Sequence, residues 1–346
     1  TGGKGTDTID AGDGTDTIII AAAGKGNSDT MDGGAKADVL QLSAGAHAFA
    51  DNDKLKNIET IKTHSSGSEV DLSAQEEALT ITGDAGTDII TGGKGTDTID
   101  AGDGTDTITG GEGDDIITGG VGVDTFKVDK GTDTIKDLGG ASGGEADVLI
   151  VSKDAKAEAT VSVSFTATSS TVNNAANDVT KAVISTDTDG ATIDLKDATG
   201  VYTLKGGDGV DKLTGSAGAD KIESGAGNDE ITVAATGNAN TDTMDGGDGT
   251  DVLKLSAGAH TFGDNDKLAN IEKIATHADG SEVVVSAQTE AFEITGGAGV
   301  DKITGGEGAD TINTAAGNDE ITVAAAGKAN TDTMDGGDGT DVLKLS

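Results

Sequence analysis

The sequence predicts an all-β fold, a parallel β-helix or β-roll solenoid of short strands and tight turns stacked coil upon coil, and three observations predict it. First, Gly92 to Lys127 reads GGKGTDTID, AGDGTDTIT, GGEGDDIIT, GGVGVDTFK: four nine-residue units in one phase, with glycine at the second and fourth positions, aspartate at the sixth and a large apolar residue at the eighth. Second, positions seven to nine alternate, as in Thr98-Ile99-Asp100, which turns one apolar side chain inward from a three-residue strand. Third, residues 1–18 recur unchanged at 91–108, and AGNDEITVAA at 226 recurs at 316, both at an offset of 90. Repetition on this scale marks a quasi-one-dimensional chain in which each module packs on its neighbours.

Each part of the unit has a physical reason. Glycines at positions one, two and four are expected to supply φ > 0 and to let carbonyls converge in a tight turn. Two units then make one flattened coil, and coils stack about 4.8 Å apart. Turns on one edge lie two units apart in sequence, so Asp88, Asp106 and Asp124 are expected on one side and Asp97, Asp115 and Asp133 on the other. Like charges stacked at strand spacing repel. A hard divalent cation with about six oxygen ligands removes the repulsion and satisfies turn carbonyls as well. The candidate metal ligands are the sixth-position aspartates: Asp7, Asp16, Asp88, Asp97, Asp106, Asp115, Asp124, Asp133, Asp211, Asp220, Asp229, Asp242, Asp251, Asp301, Asp310, Asp319, Asp332 and Asp341. A flexible Gly/Asp-rich linker has no use for isoleucine held in phase.

Composition points the same way. The 346 residues carry 62 acidic and 23 basic side chains, a net charge of -39, with 34% hydrophobic and 2% aromatic residues. Such a balance ordinarily means disorder, unless bound cations add the missing folding free energy. Every basic residue is lysine and none cluster, which argues against nucleic acid and anionic membranes as partners. The absence of cysteine removes disulfides, thiol chemistry and zinc-thiolate sites. The absence of proline suits strands that need their N–H groups for ladders on both sides. No apolar run reaches membrane-spanning length, and the sequence starts and stops inside repeats, as a slice of a longer chain would.

The expected organisation is seven segments. Acidic runs occupy 1–41, 83–136, 206–254 and 296–346; 42–82 and 255–295 are related cation-free coils sharing SAGAH, DNDKL, NIE and GSEV; 137–205 diverges. In the first related segment Leu55, Ile58, Ile61, Val70, Leu72, Leu79 and Ile81 are spaced by two or three, which favours short strands, with one helical turn open within Asp51 to Glu59. In the divergent segment Val161 to Thr166 alternates as a half-buried strand, either embellished solenoid or a small β domain.

Other motifs carry less. Gly140 to Gly144 matches the G-x-S-x-G elbow in letters but lacks its strand and helix. His47, His64, His260 and His277 repeat at an offset of 213 and read as copied surface or corner residues rather than a zinc set. No carboxylate pair stands out as acid and base, so no enzyme activity is expected.

The nonapeptides, and GVDTFKVDKGTDTIKDL followed by DVLIVS, resemble the repeat region of RTX proteins, calcium-binding bacterial proteins exported by type I secretion. The resemblance implies a right-handed parallel β-roll, several bound calcium ions, an extracellular location, and folding on meeting calcium outside the cell. Departures at AAAGKGNSD, AATGNANTD and GGAKAD put those turns in question as metal sites. Two function classes remain open. One is a structural array at the bacterial cell surface, either a surface-layer component self-associating into a lattice or an adhesin stalk. The other is an accessory roll of a secreted enzyme or toxin. Outward threonines such as Thr98 and Thr107 also admit ice binding.

Overall fold

A computed structural model describes residues 6–24, 28–140, 146–175, 178–187, 189–233, 241–323 and 332–345. The chain forms two units, Thr1–Ala176 and Asn177–Ser346. Each is a parallel β-solenoid.

In the first unit one stack of parallel strands contains Thr17–Ile19, Val39–Gln41, Thr60–Lys62, Thr80–Thr82, Thr98–Asp100, Ile116–Thr118, Thr132–Ile135 and Lys156–Val161. A second stack runs from Gly45–Ala48 through Ser68–Asp71, Ile89–Thr91, Thr107–Thr109, Thr125–Val128 and Val148–Val151 to Val172–Asn173. The register follows the double nonapeptide: Ile99 faces Ile117, and Ile90 faces Ile108. These eighth-position residues are fully buried, so one large apolar side chain per unit builds a continuous core column.

The second unit repeats the plan. One stack leads from Ala182–Thr186 to Leu268–Ala269, another from Thr192–Asp194 to Thr333–Asp335, and a third from Gly258–Thr261 to Val342–Leu345.

The related segments continue the solenoid, and all seven apolar residues named in the first copy are buried. Each enters through an enlarged coil: Gly45–Ala48 and Leu55–Lys56 pair with different strands, Ser68–Asp71 and Thr30–Asp32. Between them lies the short helical piece Asn52–Lys54, capped by the Asp51 carboxylate. The divergent segment is also solenoid within each unit, since Val148–Val151 pairs with Thr125–Val128 and Thr192–Asp194 with Lys212–Thr214. The expected strand from Val161 to Thr166 is instead two strands, Lys156–Val161 and Ser164–Thr166. The chain bends at Ser162-Val163 and leaves Val163 exposed, so the alternation there marks a corner.

Two further expectations change. Position-one glycines such as Gly92 and Gly110 are not left-handed; positive φ belongs to later turn positions, as at Gly111 and Gly113. Nor are all four histidines at the surface. His47 and His260 are buried in strands, each donating Nε2–H to a carbonyl, of Ser43 at 2.9 Å and of Ser256 at 2.8 Å. Burial lowers both pKa values, which keeps the rings neutral. His64 and His277 do sit at corners, accepting the N–H of Ser66 and Asp279. The serine elbow at 141–144 lies outside the described residues.

Candidate metal centre

The turn places its sixth residue where the chain enters the next strand, and the stacking brings these aspartates into rows. The N–H of Asp88 donates to Oδ1 of Asp106 at 2.7 Å, Asp106 to Asp124 at 2.8 Å, and Asp124 to Asp147 at 2.8 Å. A second row links Asp97 to Asp115 at 2.8 Å and Asp115 to Asp133 at 3.2 Å. The same bond joins Asp7 to Asp29 and Asp16 to Asp38. In the second unit it joins Asp211, Asp229 and Asp251, then Asp220 and Asp242, then Asp301, Asp319 and Asp341, and Asp310 and Asp332. Every aspartate expected from the nonapeptide thus stands in a row.

Three more aspartates stand in the rows: Asp29 and Asp38, whose turns the sequence left in question as metal sites, and Asp147, which it missed. Asp29 and Asp38 follow turns that depart from the glycine pattern, and Asp147 follows a lengthened connection. The signal that finds them is the leucine or methionine two residues downstream, Met31, Leu40 and Leu149, each fully buried.

Apart from Asp7 and Asp16, which begin their rows, one oxygen of each carboxylate therefore belongs to the backbone ladder. The fate of the other depends on position in the row. Where a row starts after a non-acidic turn, the protein supplies a second donor: Gly93 N–H to Asp97, Gly207 to Asp211, Ser216 to Asp220, Gly297 to Asp301, Gly306 to Asp310, and the Thr63 hydroxyl to Asp88. Further along, Oδ2 of Asp106, Asp115, Asp133, Asp229, Asp251 and Asp319 is buried with no hydrogen-bond partner, as is Oδ2 of Asp7 and Asp38. A buried, partnerless carboxylate oxygen costs several kcal/mol, which a cation removes.

The glycines leave room for such an ion. A Cβ on Gly110 would stand 2.3 Å from Asp115 Oδ2 and 2.8 Å from Asp133 Oδ2, so both orphaned oxygens crowd the space its missing side chain opens. At Gly92 that space meets the Gly110 carbonyl at 2.1 Å and Asp97 Oδ2 at 2.8 Å. Position one is glycine because of close approach, not conformation. Among the described residues no three acidic or histidine side chains converge as a metal set, so main-chain carbonyls and water would supply the remaining ligands.

The electrostatics record the same demand. Burial raises the Asp133 carboxyl to about 8, and Asp124 and Asp242 to about 7, with neighbouring aspartates adding to the rise against the lowering by backbone N–H bonds. Asp106, Asp115 and Asp251 are pushed up to about 6 for the same reasons. Burial thus works against the charged form of these groups, and a positive ion beside them offsets it, so the residues present fit a divalent ion with oxygen preference.

The model of one protein family, the RTX calcium-binding nonapeptide repeat, matches residues 1–19, 24–46, 80–108, 100–135, 203–232, 235–259, 293–321 and 326–343, more than half of the chain. No curated protein matches the chain.

Proposed function

The chain belongs to the RTX calcium-binding nonapeptide repeat family and binds several calcium ions, and on that premise we propose that it is the structural repeat region of a bacterial surface-layer protein. In this reading the row aspartates are calcium ligands, with Asp106, Asp115, Asp133, Asp229, Asp251 and Asp319 each giving the ion the oxygen that the backbone ladder leaves over. Calcium supplies the positive charge that lets stacked carboxylates stay ionised in a buried position. The chain is exported unfolded, meets calcium outside the cell and folds there; its role is scaffolding, with no reaction of its own.

The observation that carries the surface-layer reading is near-identity of modules: residues 1–18 and 91–108 are the same, and so are 226–235 and 316–325. Modules that share identical stretches present recurring faces, which suits a lattice whose contacts recur. No helix among the described residues is long and apolar enough to cross a membrane. The test is electron microscopy of cells that display the full-length protein. A two-dimensional lattice that dissolves in chelator and reforms with calcium is expected. Protein present on the surface without lattice order would exclude the surface-layer role.

A further inference from the structure

At two places an acidic row meets a turn of different make. Met31-Asp32 pairs with Leu55-Lys56, and Val39 with Thr60, so Asn57 stacks on Gly33 and Glu59 on Asp38. Asn57-Ile58-Glu59 thereby covers in three residues the path that Gly33 to Asp38 takes in six. The second copy does the same: Met244-Asp245 pairs with Leu268-Ala269 and Val252 with Lys273, which sets Asn270-Ile271-Glu272 against Gly246 to Asp251. Neither three-residue turn lies within the stretches that match the family model.

The short turn keeps the two ends of the long one. Ile58 and Ile271 are buried and fill the middle. Asn57 and Asn270 are left-handed, at φ 50 and 51. Their side-chain amides donate to Asp32 Oδ1 at 2.8 Å and Asp245 Oδ1 at 2.7 Å. This fixes the asparagine carbonyls, which lie 2.1 and 2.0 Å from where a Cβ on Gly33 or Gly246 would stand. From those same points Asp38 Oδ2 is 2.7 Å away and Asp251 Oδ2 2.8 Å. The pairing matches Gly92 in the consensus turns, where the Gly110 carbonyl and Asp97 Oδ2 are at 2.1 and 2.8 Å. Both Asp38 Oδ2 and Asp251 Oδ2 are orphaned, on residues 1% and 0% exposed. Glu59 and Glu272 accept the N–H of Asp38 at 2.7 Å and Asp251 at 2.8 Å, the bond an aspartate makes elsewhere in the rows.

We infer that each Asn-Ile-Glu turn closes a further calcium site, with Asp38 or Asp251 supplying a carboxylate oxygen and Asn57 or Asn270 its main-chain carbonyl. Glu59 and Glu272 hold the aspartate in place and add the second negative charge that a divalent ion balances. The segments expected to be free of cation then share one ion each with the run before them. This rests on the reading that the rows hold calcium.

The test is the calcium content of the whole chain, measured by mass spectrometry at the lowest free calcium that saturates the wild type. In E59Q/E272Q the amide oxygen still accepts the aspartate N–H but the charge is gone. A tenfold or greater loss of affinity at these sites is expected, hence between one and two fewer ions per chain, with none lost in E69Q/E282Q, where the neutralised glutamates are exposed on strands. An unchanged ion count in E59Q/E272Q overturns the inference. A wild type that holds no calcium overturns the underlying reading instead. Should E59Q/E272Q fail to fold, anomalous scattering from calcium-grown wild-type crystals decides: a peak between Asp251 and Asn270 is expected, and its absence, with peaks elsewhere in the rows, refutes the junction site alone.

Discussion

The backbone N–H of Asp115 donates to Oδ1 of Asp133 one coil further on, and Oδ2 of both residues is buried without a partner. One oxygen thus serves the fold and the other waits for charge. Together with the orphaned oxygens of Asp7, Asp38, Asp106, Asp229, Asp251 and Asp319, this leaves the metal-free solenoid with stacked, partnerless carboxylates and one large apolar side chain per nonapeptide to set against chain entropy of about 1–2 kcal/mol per residue. Circular dichroism of the calcium-stripped chain at neutral pH is expected to show mostly coil, converting to β on adding millimolar calcium. Full β signal in the stripped protein would show that the core alone suffices.

Acid is expected to substitute in part for calcium. Asp133 is raised from 3.8 to about 8, Asp124 and Asp242 to about 7, and Asp106, Asp115 and Asp251 to about 6, in each case first by burial. A folded pKa above the unfolded one means that the folded state binds more protons, so stability is fully present below about 4 and is lost as pH rises through the folded values. Calcium-stripped protein should therefore gain β signal as pH falls from about 8 to about 4. Saturating calcium, which favours the ionised carboxylates, should leave little of that dependence above pH 6. A stripped protein that is folded at pH 8 and unfolds toward pH 4 would reverse the sign and contradict the assignment.

The strand positions and both aspartate rows were legible because the period of nine carries the apolar residue and the carboxylate together, as in Asp97 and Ile99. Where the turn changed length or lost its fourth glycine the pair still survived, so the turns at Asp29 and Asp38 were visible but left in question as metal sites, and only Asp147 was lost from view. Glu59 and Glu272 were harder still, since nothing local says that three residues replace six; only the pairing of Leu55 with Met31 reveals it. Burial of His47 was equally hidden, because its strand packs through contacts with Ser68–Asp71 rather than through any pattern of its own.

The first glycine of a turn gives a sharper test than the later ones. Gly110 lacks positive φ, so alanine meets no backbone penalty there, yet its Cβ would lie 2.3 Å from Asp115 Oδ2 and 2.8 Å from Asp133 Oδ2. Overpacking of this kind costs about 1–3 kcal/mol. Gly110→Ala is expected to raise the calcium concentration at the midpoint of folding several-fold and to lower Tm in saturating calcium. Gly12→Ala, with nothing near its Cβ but φ at +90, isolates the conformational part. Equal midpoints for Gly110→Ala and wild type would mean that the space beside Gly110 holds no ion.

The module copies supply an internal control on the fourth glycine. Lys36 stands where Gly249 and Gly339 stand in the equivalent turns, and it is left-handed at φ 82 against 150 and 155 for the glycines. The carboxylate beyond it is unaffected, since Asp16 donates to Asp38 Oδ1 at 2.7 Å just as Asp229 donates to Asp251 at 2.7 Å. The turn itself differs: Asp248-Gly249 pairs with Ala226-Gly227, whereas Ala35 keeps a single bridge to Asp13. Because Lys36 is exposed, its ammonium is screened by water and the larger effect is backbone strain, on the order of 1 kcal/mol relative to glycine. Asp38 should therefore be the weakest calcium ligand of the three equivalents. Lys36→Gly is expected to stabilise the calcium-loaded chain by about 1 kcal/mol and to lower the calcium midpoint, while Gly249→Lys does the reverse and by more, because a Cβ there would meet the Gly227 carbonyl at 1.5 Å. If thermal denaturation and calcium titration leave Lys36→Gly indistinguishable from wild type, the fourth glycine is not what sets the strength of the turn.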